Sequence, residues 1–312
     1  MTAAPDPTAE PGGRVQRPAV DVVIPFAGTE LEFEQLIVRA SRLALRPSDT
    51  VVVVDNRRRA SPLTRQGSTS GVRTLAAPER RSSYHARNRG AAAGCAPWLL
   101  FLDADVDWQE NLIDAYFESD PGERVAVLAG GVADAPLGGR SRATLAERYA
   151  AAVGPMGHAN TTDAFGRPPY AQTANCLVRR AAFESVGAFA GGIRSGGDAD
   201  LCFRLQAEGW TVEVRQAAAV THRNRRALVA LLAQKARHGA GAAWLQRRYP
   251  GSFPPRRLAG SAAWSARSLL AARRRGAGAV SLAVVDALAV CAFELGRRLP
   301  NRTRRSRTRP RR

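Results

Sequence analysis

Trp98-Leu-Leu-Phe-Leu-Asp-Ala-Asp-Val-Asp107 runs from five consecutive apolar residues into three carboxylates, Asp103, Asp105 and Asp107. An apolar run without polar alternation reads as a strand covered on both faces of a parallel sheet. Acids at its carboxyl end fall where open α/β sheets take their ligands. Asp103 and Asp105 are two residues apart, so an extended segment points both side chains the same way. Two hard oxygen ligands on one side, with room for water and phosphate oxygens, suit Mg²⁺ or Mn²⁺. The plainer alternative is a strand end followed by a solvated acidic turn.

Upstream, Val20-Asp-Val-Val-Ile-Pro25 reads as a first strand stopped by proline. Residues 29–45 carry Leu31, Phe33, Leu36, Ile37, Ala40 and Leu43 at helical spacing, and Thr50-Val-Val-Val-Val-Asp55 reads as a second buried strand. Strand, helix and strand within about 35 residues make a βαβ unit. Val72-Arg-Thr-Leu75 suggests a short strand, and residues 82–94 a helix capped by Ser82 or Ser83. A helix over 111–119 and a strand over 125–130 complete a nucleotide-binding-type α/β half. Downstream the pattern predicts a helix at 145–153, a Gly- and Pro-rich loop at 154–169, a strand at 171–178 and a helix at 180–186. After the turn Gly191-Gly-Ile-Arg-Ser-Gly-Gly197, residues 198–208 read as a helix with Asp198 and Asp200 in its first turn, where the helix dipole favours acids. A strand at 212–220 ends in Thr221-His222, and residues 225–248 form a long basic amphipathic helix.

The 312 residues, 45% of them hydrophobic, describe a globular chain with a sizeable core. The net charge of +19 is unevenly spread: 15 of the 46 basic residues but only 2 of the 27 acids lie from Arg256 onward. Basicity therefore belongs to the C-terminal fifth, and no specific nucleic-acid partner is expected for the core. Cys95, Cys176, Cys202 and Cys291 are scattered without metal-ligand spacing, which fits reduced thiols in a cytoplasmic compartment. Residues 1–18 read as a loose tail without an apolar signal segment.

Taken in order, several segments resemble the family 2 inverting glycosyltransferases of the GT-A fold. Val22-Val-Ile-Pro25 is similar to that family's opening strand, and Val52-Val-Val-Asp55-Asn56 to its second strand. Ala86-Arg-Asn-Arg-Gly90 is similar to the "aRNxG" helix, and Leu99-Leu-Phe-Leu-Asp103-Ala-Asp105 to the metal-binding DxD. Asn175-Cys-Leu-Val-Arg-Arg-Ala-Ala-Phe183 through Phe189 and Gly197-Asp198-Ala-Asp200-Leu201 through Leu205 match the later blocks. The resemblance implies a mixed sheet flanked by helices over residues 19–222. It implies transfer of a single sugar from a nucleoside diphosphate sugar to a hydroxyl, assisted by Mn²⁺ or Mg²⁺. Phe26 with Asp55 or Asn56 would face the base and ribose, Arg87 the nucleotide or its phosphates, Asp105 the metal and Asp103 the ribose side. Asp198 would be the general base, and His222 matches a position that completes the metal shell in some members.

Inversion in one displacement needs a carboxylate that takes the acceptor's proton, and something to absorb charge on the departing diphosphate. Two departures stand out. Asp55-Asn56 is followed by Arg57-Arg-Arg59 where the family has Gly-Ser, which would place arginines beside phosphates. The Glu of the "GED" pattern is Gly197. Gln234-Lys-Ala-Arg237-His238 has the spacing of the "QxxRW" segment of processive relatives, which sets Arg237 near the diphosphate; His replaces Trp, so one sugar per acceptor is expected. A solvated basic helix face is the other reading of that segment.

Residues 223–296 read as a C-terminal helical extension and 297–312 as a disordered basic tail with nine arginines. The apolar stretch 277–293 is short for a membrane span, and Asp286 at its centre would cost about 3 kcal/mol there. An amphipathic helix packed on the core or lying on an anionic membrane surface fits better, with the chain peripheral on the inner face. The rival from another class is a basic nucleic-acid or membrane-binding protein on an inactive GT-A scaffold. A nucleotidyltransferase would need a Gly-rich phosphate loop after the first strand, which Pro25-Phe-Ala-Gly28 does not supply.

Overall fold

The apolar run is strand β5, Trp98–Leu102, with all five residues buried. Its side chains divide between two cores. Trp98, Leu100 and Leu102 join one layer with Phe33, Leu36 and Ile37, while Leu99 and Phe101 join the other with Val23, Ala86 and Phe189. A strand covered on both faces can be apolar at every position, and that is why the run lacks alternation. The computed structural model describes residues 17–303, apart from 66, 138–142, 155–156, 163–165 and 257.

In chain order the elements are β1 (Val20–Phe26), α1 (Glu30–Ala40), β2 (Thr50–Asp55), α2 (Pro62–Arg65), β3 (Ser68–Thr69), β4 (Val72–Ala76) and α3 (Ser83–Ala91). After β5 come β6 (Val106–Trp108), α4 (Leu112–Ala115), β7 (Val125–Asp134), α5 (Leu145–Val153), β8 (Asn175–Arg179) and α6 (Arg180–Ser185). The chain continues through α7 (Gly197–Ala207), β9 (Thr211–His222), α8 (Leu228–Arg248), α9 (Leu258–Arg273) and α10 (Ala277–Gly296). Nine strands form one sheet in the order β3-β4-β2-β1-β5-β8-β7-β9-β6. The run β4-β2-β1-β5 is parallel; β8 is antiparallel to β5 and β7, and β9 is parallel to β7. This is the mixed α/β sheet with a helical C-terminal part that the sequence reading called for.

Local chemistry accounts for the element ends. Thr29 and Glu32 form a capping box that starts α1, and Ser82 caps α3 by accepting from the His85 amide. α1 stops at Ala40 rather than running to 45, and the expected helix at 111–119 shrinks to α4, whose N-cap Asn111 makes no side-chain bond. β7 reaches Asp134, past the expected 130, through a register shift at Gly130. There a Cβ would stand 2.3 Å from Asn175 Nδ2 and 2.6 Å from the Ala218 carbonyl. Asn175, fully buried, bonds the Gly131 and Ala218 carbonyls and accepts from Tyr116, so it fastens the irregular crossing of β7 and β9.

The expected tails, 1–18 and 297–312, lie partly outside the described residues, and their described parts are packed on the fold. Residues 1–16 lie outside the described part, but Arg17 is already buried and pairs with Asp49 at 2.7 Å. At the other end residues 304–312 lie outside it, whereas Asn301 is buried and Arg302 forms an antiparallel bridge with Ile193. α10 is three residues longer than its apolar stretch, and at 20 residues and mean hydropathy 1.9 it is long and apolar enough to cross a membrane. It packs against α8, α9 and α5, and its Asp286 accepts a 2.7 Å hydrogen bond from Tyr149.

Candidate active site

The carboxyl ends of β1, β2 and β5 open into a cleft of about 1040 Å³, walled on the far side by the 194–199 segment and α8. Of the nine residues singled out from the sequence, Phe26, Asn56, Arg87, Asp103, Asp105, Asp198, His222 and Arg237 line it, and Asp55 does not.

Asp55 is set apart from the cleft by its surroundings. Its carboxylate is fully buried, takes Arg57 on both oxygens at 2.8–2.9 Å, and accepts from the Ser61 amide and Thr64 hydroxyl. Burial pushes its pKa up, but Arg57 and the Ser61 and Arg57 amides outweigh that and hold it below the usual carboxylate range. Every lone pair is committed, so Asp55 orders the turn after β2 rather than offering itself to a base. Arg57 is likewise spent there. It also pairs with Glu30 at 3.0 Å and lies 4.9–5.1 Å over the Phe33 and Phe26 rings, so it is not beside a phosphate site.

Asp103 and Asp105 do not sit on an extended strand as expected. They occupy a tight turn between β5 and β6, in which the Val106 amide donates to the Asp103 carbonyl. Arg87 reaches Asp103 in a short ion pair and also donates to the Thr173 carbonyl. Asp107 is turned away, held by Arg223 and by Arg39 at 3.6 Å. β6 then explains His222. Val106 is in register with His222 of β9, and the Arg223 amide donates to the Asp105 carbonyl at 2.9 Å. That short pairing sets His222 Nε2 3.6 Å from Asp105 Oδ2. Burial would lower the His222 pKa, but Asp105 and then Asp103 raise it. For Asp105 burial raises the pKa and His222, followed by Arg225, brings it below the ordinary value.

Among the described residues no group of three His, Cys, Asp or Glu side chains forms a ready-made metal cage. The fit is to an open site instead. Asp105 is half exposed at the cleft floor, and the Nδ1 of His222 is buried without a hydrogen-bond partner. One carboxylate and one imidazole, with the remaining positions left to water and phosphate oxygens, suit Mn²⁺ or Mg²⁺ bound together with a diphosphate.

Across the cleft Asp198 occupies the first turn of α7, after Gly196 at φ +85°. Its Oδ1 accepts from the Ala199 amide at 3.0 Å, and Tyr84 and Arg87 face it. Burial pushes its pKa up, and the amide and Arg87 only partly offset that. Asp200, two residues on, is structural: it holds Arg204 at 2.9 Å, Arg248 at 3.0 Å and the Tyr249 hydroxyl at 2.8 Å. Tyr84 also explains the missing Glu of the "GED" pattern. A Cβ on Gly197 would lie 2.7 Å from Tyr84 Cε1, so the ring fills the space a longer residue would need.

Sequence reasoning missed Tyr84, Arg194 and Arg225. Tyr84 lies one turn before Arg87 on α3, so the helical i, i+3 spacing was the available signal. Arg225 and Arg194 both lower the pKa of Arg237, after burial itself. Arg194 and Arg237 make no side-chain ion pair with a carboxylate among the described residues, and they leave the α8 wall strongly positive.

A mixed sheet with a parallel run of strands, an acidic turn at its carboxyl edge and a facing carboxylate on a helix start defines a GT-A-type architecture. The chain superposes with TM-score 0.59 on the mannosyltransferase PcManGT from Pyrobaculum calidifontis, a structure holding GDP-Man and Mn²⁺, at 18% identity over 94% of this chain and 89% of that one. The sequence profile described as glycosyltransferase-like family 2 matches residues 18–241, and the chain belongs to that family. It is 29% identical over 280 residues to the pre-mycofactocin glycosyltransferase of Mycobacterium tuberculosis, covering 84% of this chain and 54% of that protein. Glycosyltransferase AglE of Haloferax volcanii is 29% identical over 202 residues, 62% of this chain and 64% of that protein. The chain thus spans about half the length of the mycobacterial relative.

Proposed function

We propose that this protein is an inverting glycosyltransferase that moves one sugar from a nucleoside diphosphate donor to a hydroxyl acceptor. The observation that carries it is the opposition, across one cleft, of the Asp103–Asp105 turn with His222 and the Asp198 carboxylate on α7. Phe26 and Asn56 flank the end where a base would lie; Asn56 uses its amide NH₂ on the Ala77 and Arg80 carbonyls and is itself fixed. Arg87 and the α8 wall with Arg237 meet the diphosphate's charge. A bound Mn²⁺ or Mg²⁺ would supply neutralisation of the departing diphosphate. Asp198 takes the acceptor's proton as the acceptor oxygen bonds to the anomeric carbon and the bond to the diphosphate oxygen breaks.

The test is isothermal titration of UDP, GDP and dTDP with Mn²⁺ and with EDTA, on wild type and Asp105→Ala. One nucleotide is expected to bind in the micromolar range, with binding weakened at least tenfold by EDTA and by the substitution. No nucleotide binding to wild type under any condition would overturn the reading.

Peripheral attachment to the inner face of a membrane, where a lipid-linked acceptor would be met, is the second element of the proposal. It is supported by the exposed apolar residues Trp264, Leu270, Val284, Leu288 and Leu295 on α9 and α10. The neighbouring Arg267, Arg273, Arg274, Arg275 and Arg298 are exposed, while Asp286 is bonded to Tyr149 and Glu294 lies 3.7 Å from Arg297. Apolar insertion with surrounding guanidinium groups matches an anionic lipid surface. Co-sedimentation with phosphatidylglycerol-containing vesicles is expected, weakened by 0.5 M salt and by Trp264→Ser with Leu288→Ser. Equal binding to neutral phosphatidylcholine vesicles, or none to either, would refute it.

A further inference from the structure

The segment before the catalytic-base candidate is Gly191-Gly-Ile-Arg-Ser-Gly-Gly197, four glycines in seven residues. Glycine backbone has the widest conformational freedom, so such a segment does not hold Asp198 in place by itself. Three parts of the molecule hold it. Ser82, the cap of α3, donates to the Ile193 carbonyl at 3.0 Å. α8 presses on it at Gly241, where a Cβ would be 2.8 Å from Ser195 Cβ, and at Leu245, whose Cδ1 is 2.9 Å from where a Gly196 Cβ would stand.

The third is the chain that returns after α10. Asn301 is 4% exposed, and its Oδ1 accepts from the Arg194 amide at 3.2 Å and the Ser195 amide at 3.1 Å. Its Nδ2 donates to the Ser195 carbonyl at 2.9 Å. The strap's backbone adds the Asn301 carbonyl accepting from Arg194, the Thr303 amide donating to Gly192 at 2.9 Å, and the Ile193–Arg302 bridge. One buried side chain thus satisfies three backbone groups of a glycine-rich loop, three and four residues from Asp198. It also orients Arg194, which lines the cleft.

We infer that Asn301 is a positioning residue for the reaction: the strap at 299–303 clamps the 191–197 loop so that Asp198 and Arg194 face the acceptor. A side chain that only added stability would lower the melting temperature and leave turnover of folded protein unchanged. A positioning residue acts on kcat, since misplacing a reacting group by about 1 Å costs on the order of a hundredfold. This inference rests on the transferase reading, and its test separates the two.

Full-length wild type, Asn301→Ala and Asn301→Asp are compared by hydrogen–deuterium exchange over 190–200, Mn²⁺-dependent nucleotide titration and donor turnover. The Asp variant retains the two acceptor bonds and loses the donation to Ser195. The expected result for Asn301→Ala is amide exchange at 194 and 195 faster by tenfold or more, nucleotide Kd within twofold of wild type, and kcat down at least tenfold with donor KM unchanged. Asn301→Asp is expected to fall between. Unchanged exchange in both variants, or faster exchange with unchanged kcat in both, would overturn the inference. Failure of wild type to bind any nucleotide would sink the transferase reading instead, while the exchange data still judge the clamp. Should Asn301→Ala not fold, the Asp variant alone carries the same comparison.

Discussion

Asp198→Asn is expected to lower turnover by about 10²–10⁴-fold, to leave Mn²⁺-dependent nucleotide binding within a few-fold of wild type, and to raise the melting temperature at neutral pH. The amide is isosteric and keeps an acceptor for the Ala199 amide, so α7 starts as before. It cannot take a proton from an attacking hydroxyl. The stability effect follows from the sign of the pKa shift. Burial raises the folded-state pKa of Asp198 above its unfolded value. Such a group contributes stability below the unfolded pKa and loses that contribution as pH rises through the folded one, so the wild type carries a cost at pH 7 that the amide lacks. The melting-temperature gap between variant and wild type should therefore be small near pH 4 and widen toward neutrality. The same shift predicts that wild-type kcat/KM rises with pH along an acid limb displaced upward from an ordinary carboxylate. A variant with near-normal turnover, or one destabilised at pH 7, would remove Asp198 from the role of base. Catalytic carboxylates held where ionisation is unfavourable are a common place for function to oppose stability.

The parallel half of the fold was readable because β1, β2 and β5 are mostly apolar without alternation, as burial on both faces allows, and its first helix is amphipathic. β6 was not. With Val106 its single buried residue between acids, it shows no periodicity and exists because β9 supplies a partner. Missing it led to the extended reading of Asp103 and Asp105, and hid why His222 should lie beside them. α9 escaped for a different reason: Ala, Ser and Gly dominate it and no apolar stripe marks a face. In the site, an acid after a strand looks the same whether it is free or committed. Only the return of Arg57, Ser61 and Thr64 onto Asp55 distinguishes the two, and those contacts depend on the loop's path. Asp105, Asp198 and Arg87 stand in short local motifs, a turn and two helix segments, and such motifs can be read from sequence. The clamp by Asn301 spans more than a hundred residues of sequence and leaves no local trace.

Gly239→Ala is expected to destabilise the protein by about 3 kcal/mol, the upper part of the usual range for overpacking, and to split the denaturation curve as the helical extension loosens first. The reason is where the contact falls. α8 and α10 approach so closely that a Cβ on Gly239 would lie 1.9 Å from the Phe293 carbonyl oxygen, and one on Gly296 2.0 Å from that of Ala236. A clash with a flexible side chain is relieved by rotation; a clash of this kind with helical backbone is relieved only by parting the helices. Parting them undoes the packing of Val285 and Ala289 against Leu231 and Tyr149, and moves the wall that carries Arg237. The strap that follows α10 moves with it. Gly260→Ala is the matched control: this glycine sits in α9 with nothing within 4 Å of the new methyl, so the same change should stabilise by about 0.5–1 kcal/mol through helix propensity. Urea denaturation followed by far-ultraviolet circular dichroism and by tryptophan fluorescence reads both. Identical small effects from the two substitutions would mean that α8 and α10 are not in backbone contact, and that the extension is free to move independently of the cleft.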